Sequence, residues 1–227
     1  MSEVKTREPL FSKKNKKLIT DPLDDNNPVT IQVLGICSAL AITVSIEQAL
    51  TMTAAVIFVL VTGNVIVSLL RNLIPSRIRI IVQLVVVASL VIIVNEVLKA
   101  FLPDLGEKLS VFVGLIITNC IIMGRFEAFA MANKPWASAL DGFGNAIGYG
   151  MILVIVSVFR ELFGTGKLMG INIFGNAIPD ADGNLTGLYS IGYFNNNLVI
   201  LAPFALITVA LVIWVQRSRN KALIEEH

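Results

Sequence analysis

Apolar runs of about 20 residues, the length a helix needs to cross the hydrocarbon core of a bilayer, recur at about 31–50, 52–74, 80–101, 109–131, 142–163 and 197–216. The first two are parted only by a short polar stretch around Glu47 to Thr53. This pattern predicts an all-α integral membrane protein with six transmembrane helices over 29–216, flanked by a tail at 1–28 and another at 217–227. The longest connection, 164–196, is rich in Gly and Asn and includes Pro179, Asp180 and Asp182, so it reads as an external loop.

Composition agrees with the pattern. Of the 227 residues 55% are hydrophobic and only 15% charged, against about a quarter charged in a soluble domain, and the mean hydropathy is +0.77. The distribution of charge says more than its sum. One side of the predicted bundle takes the basic N-terminal stretch, Arg71, Arg77, Arg79, Arg125, Lys134, Arg217, Arg219 and Lys221, while the other takes only Lys99, Lys108, Arg160 and Lys167. The positive-inside rule then sets both termini in the cytoplasm, as an even number of spans requires. Trp136 and Trp214 fall near the cytoplasmic ends, where interfacial aromatics collect. The polar start lacks the apolar core of a cleavable signal, so the first helix is expected to serve as its own uncleaved insertion signal. Its lysines, Lys5 to Lys17, are read as a topology signal beside a bundle and not as a nucleic-acid arm.

The chain also repeats itself. Val65-Ile66-Val67-Ser68-Leu69-Leu70-Arg71-Asn72-Leu73 matches Val154-Ile155-Val156-Ser157-Val158-Phe159-Arg160-Glu161-Leu162 at six of nine positions, Ser and Arg among them. A weaker match links Leu90–Val94 with Leu211–Val215. Two repeats follow, about 30–102 and 109–216. Each has three spans, and the odd number forces the second to insert upside down relative to the first. Arg71 then lies at a cytoplasmic end and Arg160 at an external one.

By the same pairing, helix one corresponds to helix four, and these carry the only two cysteines, Cys37 and Cys120. Both sit among Gly, Ser, Thr or Asn, a setting that predicts discontinuous helices whose free backbone N–H groups face a buried site. Such dipoles would stabilise an anionic cluster. An isolated membrane cysteine usually packs as a small apolar residue; having both on equivalent helices speaks for a shared task. Thiolates suit iron–sulfur chemistry, and a cluster commonly takes four of them, so a second chain, either a copy or a paralogue, must supply the rest. The lone histidine, His227, excludes a haem held by paired histidines and a His-rich zinc site. Gly164-Thr165-Gly166-Lys167 lacks the spacing of a phosphate loop, and the glycines of 142–148 lack that of a dinucleotide fingerprint. Gly144 and Gly148 form instead a GxxxG packing face.

Asp25-Asn26-Asn27-Pro28, Leu34-Gly35-Ile36-Cys37-Ser38-Ala39-Leu40-Ala41, Ile78-Arg79-Ile80-Ile81-Val82-Gln83, the stretch Val113 to Arg125 around Thr118-Asn119-Cys120, and Phe159-Arg160-Glu161-Leu162 together resemble the D-type family of membrane subunits from the bacterial sodium-translocating NADH:quinone oxidoreductase, over about residues 25–216. The RNF electron-transport complex has a similar component. The resemblance implies a bacterial inner-membrane complex of six subunits. This chain would pair directly with the E-type subunit, its homologue of opposite orientation. The pair would hold an intramembrane [2Fe–2S] cluster, with Cys37 and Cys120 as this chain's ligands. NADH, flavins and quinone would be handled by other members of the complex, with flavins on the B-type and C-type subunits and NADH oxidation on the F-type one, and electron flow would drive Na+ export. The chain itself carries no nicotinamide or flavin motif, so any enzyme activity belongs to the assembly.

Charges inside a membrane are costly and generally functional. Asp141 resembles an acidic position linked to sodium in that family; it also fits a helix cap, as Ser138-x-x-Asp141. Glu96 is the second ion-pathway candidate, although relatives carry an acid one position earlier, at Asn95 here. Glu47, Glu127 and Glu161 are read as structural, near possible partners such as Arg125 and Arg160. Two other classes fit inverted repeats: a secondary transporter, and a purely structural assembly component.

Overall fold

Helices form where the apolar runs are unbroken and stop where small and polar residues interrupt them. The computed structural model describes residues 13–23, 26–75, 77–101, 114–165, 167–168, 171–172 and 197–219. In chain order these give α1 (Lys13–Thr20) with a 3₁₀ turn Asp21–Leu23, α2 (Ile36–Ile42), α3 (Ile46–Leu70), α4 (Arg79–Phe101), α5 (Cys120–Arg125) running into a π-helical turn Phe126–Ala130, α6 (Pro135–Thr165), α7 (Asn197–Ile200) and α8 (Ala202–Arg219). The described part of the long connection holds one small antiparallel pair, β1 (Lys167–Leu168) and β2 (Ile171–Asn172); the rest of that expected external loop lies outside the described residues, as do Lys108 and the C-terminal end.

Among the described residues three helices are long and apolar enough to cross a membrane, Ile46–Leu70, Arg79–Phe101 and Pro135–Gly164, with Ala202–Ser218 a shorter apolar helix. The centre of the molecule is α3 against α6. Val56, Val59 and Leu60 of α3 meet Ala146, Leu153 and Val156 of α6 in one buried cluster, and Phe126 of the π turn joins it. The Phe126 ring lies where a side chain on Gly63 would stand, so the glycine lets the π turn close on α3. Helix α4 packs on α3 through Val87, Leu90 and Val91 and exposes Ile81, Val85 and Ile92 on its far side. That is a face for lipid or for another chain.

The expected GxxxG face is present, and it is filled from within the chain. A Cβ on Gly144 would stand 2.7 Å from the Leu18 carbonyl oxygen and 2.9 Å from the Ile19 Cα, while one on Gly148 would overlap the Pro22 carbonyl. The glycines let α1 and its 3₁₀ turn lie directly on α6. Asn27 secures the next residues: its Nδ2 donates to the Gly148 carbonyl at 3.2 Å, and its Oδ1 accepts from the Val29 N–H at 3.0 Å.

The expected first span, 31–50, is corrected. Its helix is only Ile36–Ile42, seven residues rising about 10 Å of a core about 30 Å thick. The backbone turns left-handed at Val33 (φ 58°) and Gly35 (φ 79°), which bars a helix from passing through. Beyond Thr43 the chain breaks again, and α3 starts at Ile46, six residues earlier than the hydropathy pattern puts it. The physical reason is distant in sequence: the Glu161 carboxylate accepts the Ile46 N–H at 2.7 Å, satisfying one of the unpaired donors every helix start presents. The expected fourth span is likewise interrupted, helical over 114–117 and open at 118–119 before α5 begins at Cys120.

Candidate functional site

Both cysteines stand where a short helix begins. Gly35 is the residue before α2, and Cys37 is the second residue of that helix. Asn119 is the N-cap of α5, its Oδ1 accepting the Ile121 N–H at 3.3 Å, and Cys120 opens the helix. Helix starts present N–H groups and the positive end of the backbone dipole, the polarity that suits thiolates.

The two starts meet. The Gly35 N–H donates to Cys120 Sγ at 2.9 Å, across 85 positions of sequence. Below this contact Asn119 Nδ2 donates to Ser38 Oγ at 3.3 Å, so one amide side chain caps the Cys120 helix and grips the Cys37 helix. Ser38 Oγ donates to the Gly35 carbonyl at 2.9 Å and lies 2.6 Å from the Tyr149 hydroxyl, supplied by α6. Tyr149, Ser38 and Asn119 are fully buried, while both cysteines are free and exposed at the surface of this chain. The broken helices expected around Cys37 and Cys120 are thus brought together. Their supports were not foreseen: Asn119 could have been read as a helix cap, but nothing local marks Tyr149 as a partner of Ser38.

Two thiols are half of a usual iron–sulfur ligand set. Among the described residues no group of three or more His, Cys, Asp or Glu side chains could hold a metal, so any such centre here must be completed from outside the chain. Exposed thiols fit that requirement; buried ones would not.

The acidic candidates lie apart. Asp141 is 2% exposed, and its carboxylate is held by Arg125, whose Nε donates to Oδ2 at 2.9 Å and whose Nη2 pairs with Oδ1. Asn145 Nδ2 donates to the same carboxylate at 3.2 Å. The capping alternative is corrected: α6 starts at Pro135, so Asp141 sits in its second turn, and the Ser138 hydroxyl bonds back to the Lys134 carbonyl. Glu96 is exposed and pairs with Lys99 at 3.5 Å. Glu127 pairs with Arg79, not Arg125, and takes a bond from Gln83, while Glu161 caps α3. Arg160 is 1% exposed and donates to oxygens at helix ends: the Leu40 carbonyl (3.2 Å) in the last turn of α2, Thr43 Oγ1 (2.7 Å) just past it, and the Val199 (3.3 Å) and Ile200 carbonyls at α7.

Comparison with known proteins bears on the same chain from another side. It is 49% identical over 214 residues to a Photobacterium profundum protein (94% of this chain, 97% of that one) and 49% over 215 residues to one from Pasteurella multocida (95% and 99%). A third, from Psychromonas ingrahamii, is 50% identical over 212 residues (92% and 95%). Each is named as the D component of a Na(+)-translocating NADH-quinone reductase. The family described as "Rnf-Nqr subunit, membrane protein" matches residues 15–213. With nearly the whole length covered at about half identity, the chain belongs to the Rnf-Nqr family of membrane subunits.

Proposed function

We propose that this chain is the D-type membrane subunit of a sodium-translocating NADH:quinone reductase, and that with a homologous E-type partner it holds an intramembrane [2Fe–2S] cluster. The observation that carries the proposal is the contact of Gly35 N–H with Cys120 Sγ at 2.9 Å: it joins two cysteine-bearing helix starts at one exposed spot and leaves the ligand set half filled. Cys37 and Cys120 would hold iron from this side and two thiolates of the partner would complete it. When bound, such a cluster supplies one-electron transfer. The chain's own part is to aim two thiols outward, surround them with backbone N–H groups and bury the polar supports beneath. NADH oxidation, the flavins and quinone reduction fall to other members of a six-subunit complex, the B-type, C-type and F-type among them.

Six membrane segments in two inverted halves, the short helices α2 and α5 counting as parts of broken spans, fit this reading. Arg71 Nη1 and Ser68 Oγ of the first half both donate to the Asn133 carbonyl past α5, at 2.8 and 2.7 Å, while the matching Arg160 serves the end of α2. Each half closes the short helix of the other. The charge pattern supports an inner-membrane setting with both termini cytoplasmic. Of the two acids, Asp141 is the better candidate for an ion pathway. It is buried and bonded to Asn145, whose Oδ1 has no hydrogen-bond donor, and a sodium ion arriving there would compete with Arg125. Glu96 is exposed and paired with Lys99, although Asn95 Oδ1 on the neighbouring residue likewise has no donor.

The test is iron and sulfide analysis, with the spectrum of the reduced complex, for Cys37→Ser and Cys120→Ser in the assembled enzyme. Loss of the cluster signal and of quinone reduction in both is expected. Full iron and full activity in both would refute the assignment.

A further inference from the structure

The geometry points to Tyr149 as a positioning residue that sets the reduction potential of the metal centre at Cys37 and Cys120, acting through Ser38 and the Gly35 N–H; this rests on the cluster reading above. The Asn119 amide is oriented by its cap, Oδ1 toward the Ile121 N–H, which turns Nδ2 to Ser38 Oγ. Ser38 has one proton, and the Gly35 carbonyl 2.9 Å away can only accept it. Both remaining sites on Ser38 Oγ are therefore acceptors. One takes Asn119 and the other takes Tyr149, whose hydroxyl must be the donor in the 2.6 Å contact. A buried serine hydroxyl is thereby filled completely, and the phenol is locked in place.

The ring of Tyr149 does the rest. A Cβ on Gly35 would stand 2.9 Å from Tyr149 Cε2 and 3.3 Å from Cδ2, so the ring lies against the left-handed turn at Gly35. That turn aims the Gly35 N–H at Cys120 Sγ. Hydrogen bonds to cluster sulfurs stabilise the more negative, reduced form and raise its potential. No bond is made or broken; the tuned event is the uptake and release of one electron. Tyr149 lies on α6, in the half that carries Cys120, and its phenol fixes the turn of the other half, so one side chain holds the two halves of the ligand pair in register.

The experiment is a redox titration of the reduced cluster's spectrum in the whole complex, with iron counted in each sample, for wild type, Tyr149→Phe and Ser38→Ala. In Tyr149→Phe the ring stays but its anchor is gone. Iron is expected to remain while the reduction equilibrium falls about tenfold, which for one electron is about 59 mV toward lower potential. Ser38→Ala, which removes the same anchor from the other end, should move the potential the same way, and it carries the test alone if the tyrosine variant does not assemble. A merely structural role predicts lower thermal stability with the potential of the remaining clusters unmoved, and that result overturns the proposal. Failure of the underlying reading is seen separately, in a complex whose cluster signal survives loss of both cysteines.

Discussion

Asp141 and Arg125 form a two-point ion pair joining α5 to α6, with Asp141 2% and Arg125 13% exposed at the side chain. The pair makes these two charges nearly self-cancelling. Removing one partner of a buried pair strands the other charge and costs about 3–5 kcal/mol, whereas replacing both by apolar groups is often neutral. We expect Asp141→Asn to lower the thermal midpoint of the purified complex markedly and Asp141→Leu with Arg125→Met to restore most of it. Sodium dependence of quinone reduction, measured in the restored double variant, separates the roles: an ion ligand stays lost there, a purely structural acid does not.

Arg160 and Arg71 occupy matching places in the repeat but differ in depth. Arg160 has acceptors at Leu40, Thr43, Val199 and Ile200, whereas Arg71 is only partly buried and bonds the Asn133 carbonyl. Hydrogen bonds to charged groups are worth about 1.5–3 kcal/mol each. Arg160→Met is therefore expected to destabilise the complex by several times the loss seen in Arg71→Met. Arg160→Lys should rescue little, because one ammonium cannot span the ends of two helices. Paired thermal unfolding of the three variants checks the order, and equal losses at both arginines would contradict it.

Hydropathy located the long helices because length and apolarity are local properties: α4 begins at 79 where the pattern put it at 80, and it ends at 101 as expected. It merged the short helices into full spans because what ends them is not local. The start of α3 is fixed by Glu161, and the end of α2 by Arg160, each more than a hundred positions away. The glycine and asparagine around the two cysteines did give away broken helices, since residues able to turn left-handed or to cap a helix carry that information themselves. The bracket of Ser38, Asn119 and Tyr149 was invisible for the opposite reason: a buried hydroxyl reads like any other until its partner arrives from another helix.

Gly144 and Gly148 support α1, and this can be isolated. A methyl group at either meets the backbone of Leu18, Ile19 or Pro22, which cannot swing aside as a side chain could; overpacking of this kind costs about 1–3 kcal/mol. Gly144→Ala and Gly148→Ala should loosen the N-terminal helix and speed tryptic cleavage after Lys17 in the solubilised complex. Gly114→Ala is the control, since a Cβ there meets nothing within 4 Å. Cleavage at one rate in all three would show that α1 does not depend on these contacts.

Asn119 does two jobs that one pair of substitutions can divide. Its Oδ1 caps the helix that begins at Cys120, and its Nδ2 binds Ser38. Asn119→Ala removes both, and loss of a cap alone costs about 0.5–2 kcal/mol. Asn119→Asp keeps an acceptor for the Ile121 N–H but cannot donate to Ser38 once ionised, and it sets a negative charge beside the thiol of Cys120. Where only capping matters, Asn119→Asp should unfold like the unmutated complex and retain its iron. We expect it instead to hold its helix and thermal midpoint better than Asn119→Ala while losing more iron, because a carboxylate next to a site meant for thiolates opposes the charge that the helix start and the Gly35 N–H are arranged to favour. Measuring both quantities on the same preparations decides between them, and iron retention by Asn119→Asp at the unmutated level would remove electrostatics at this position from the account.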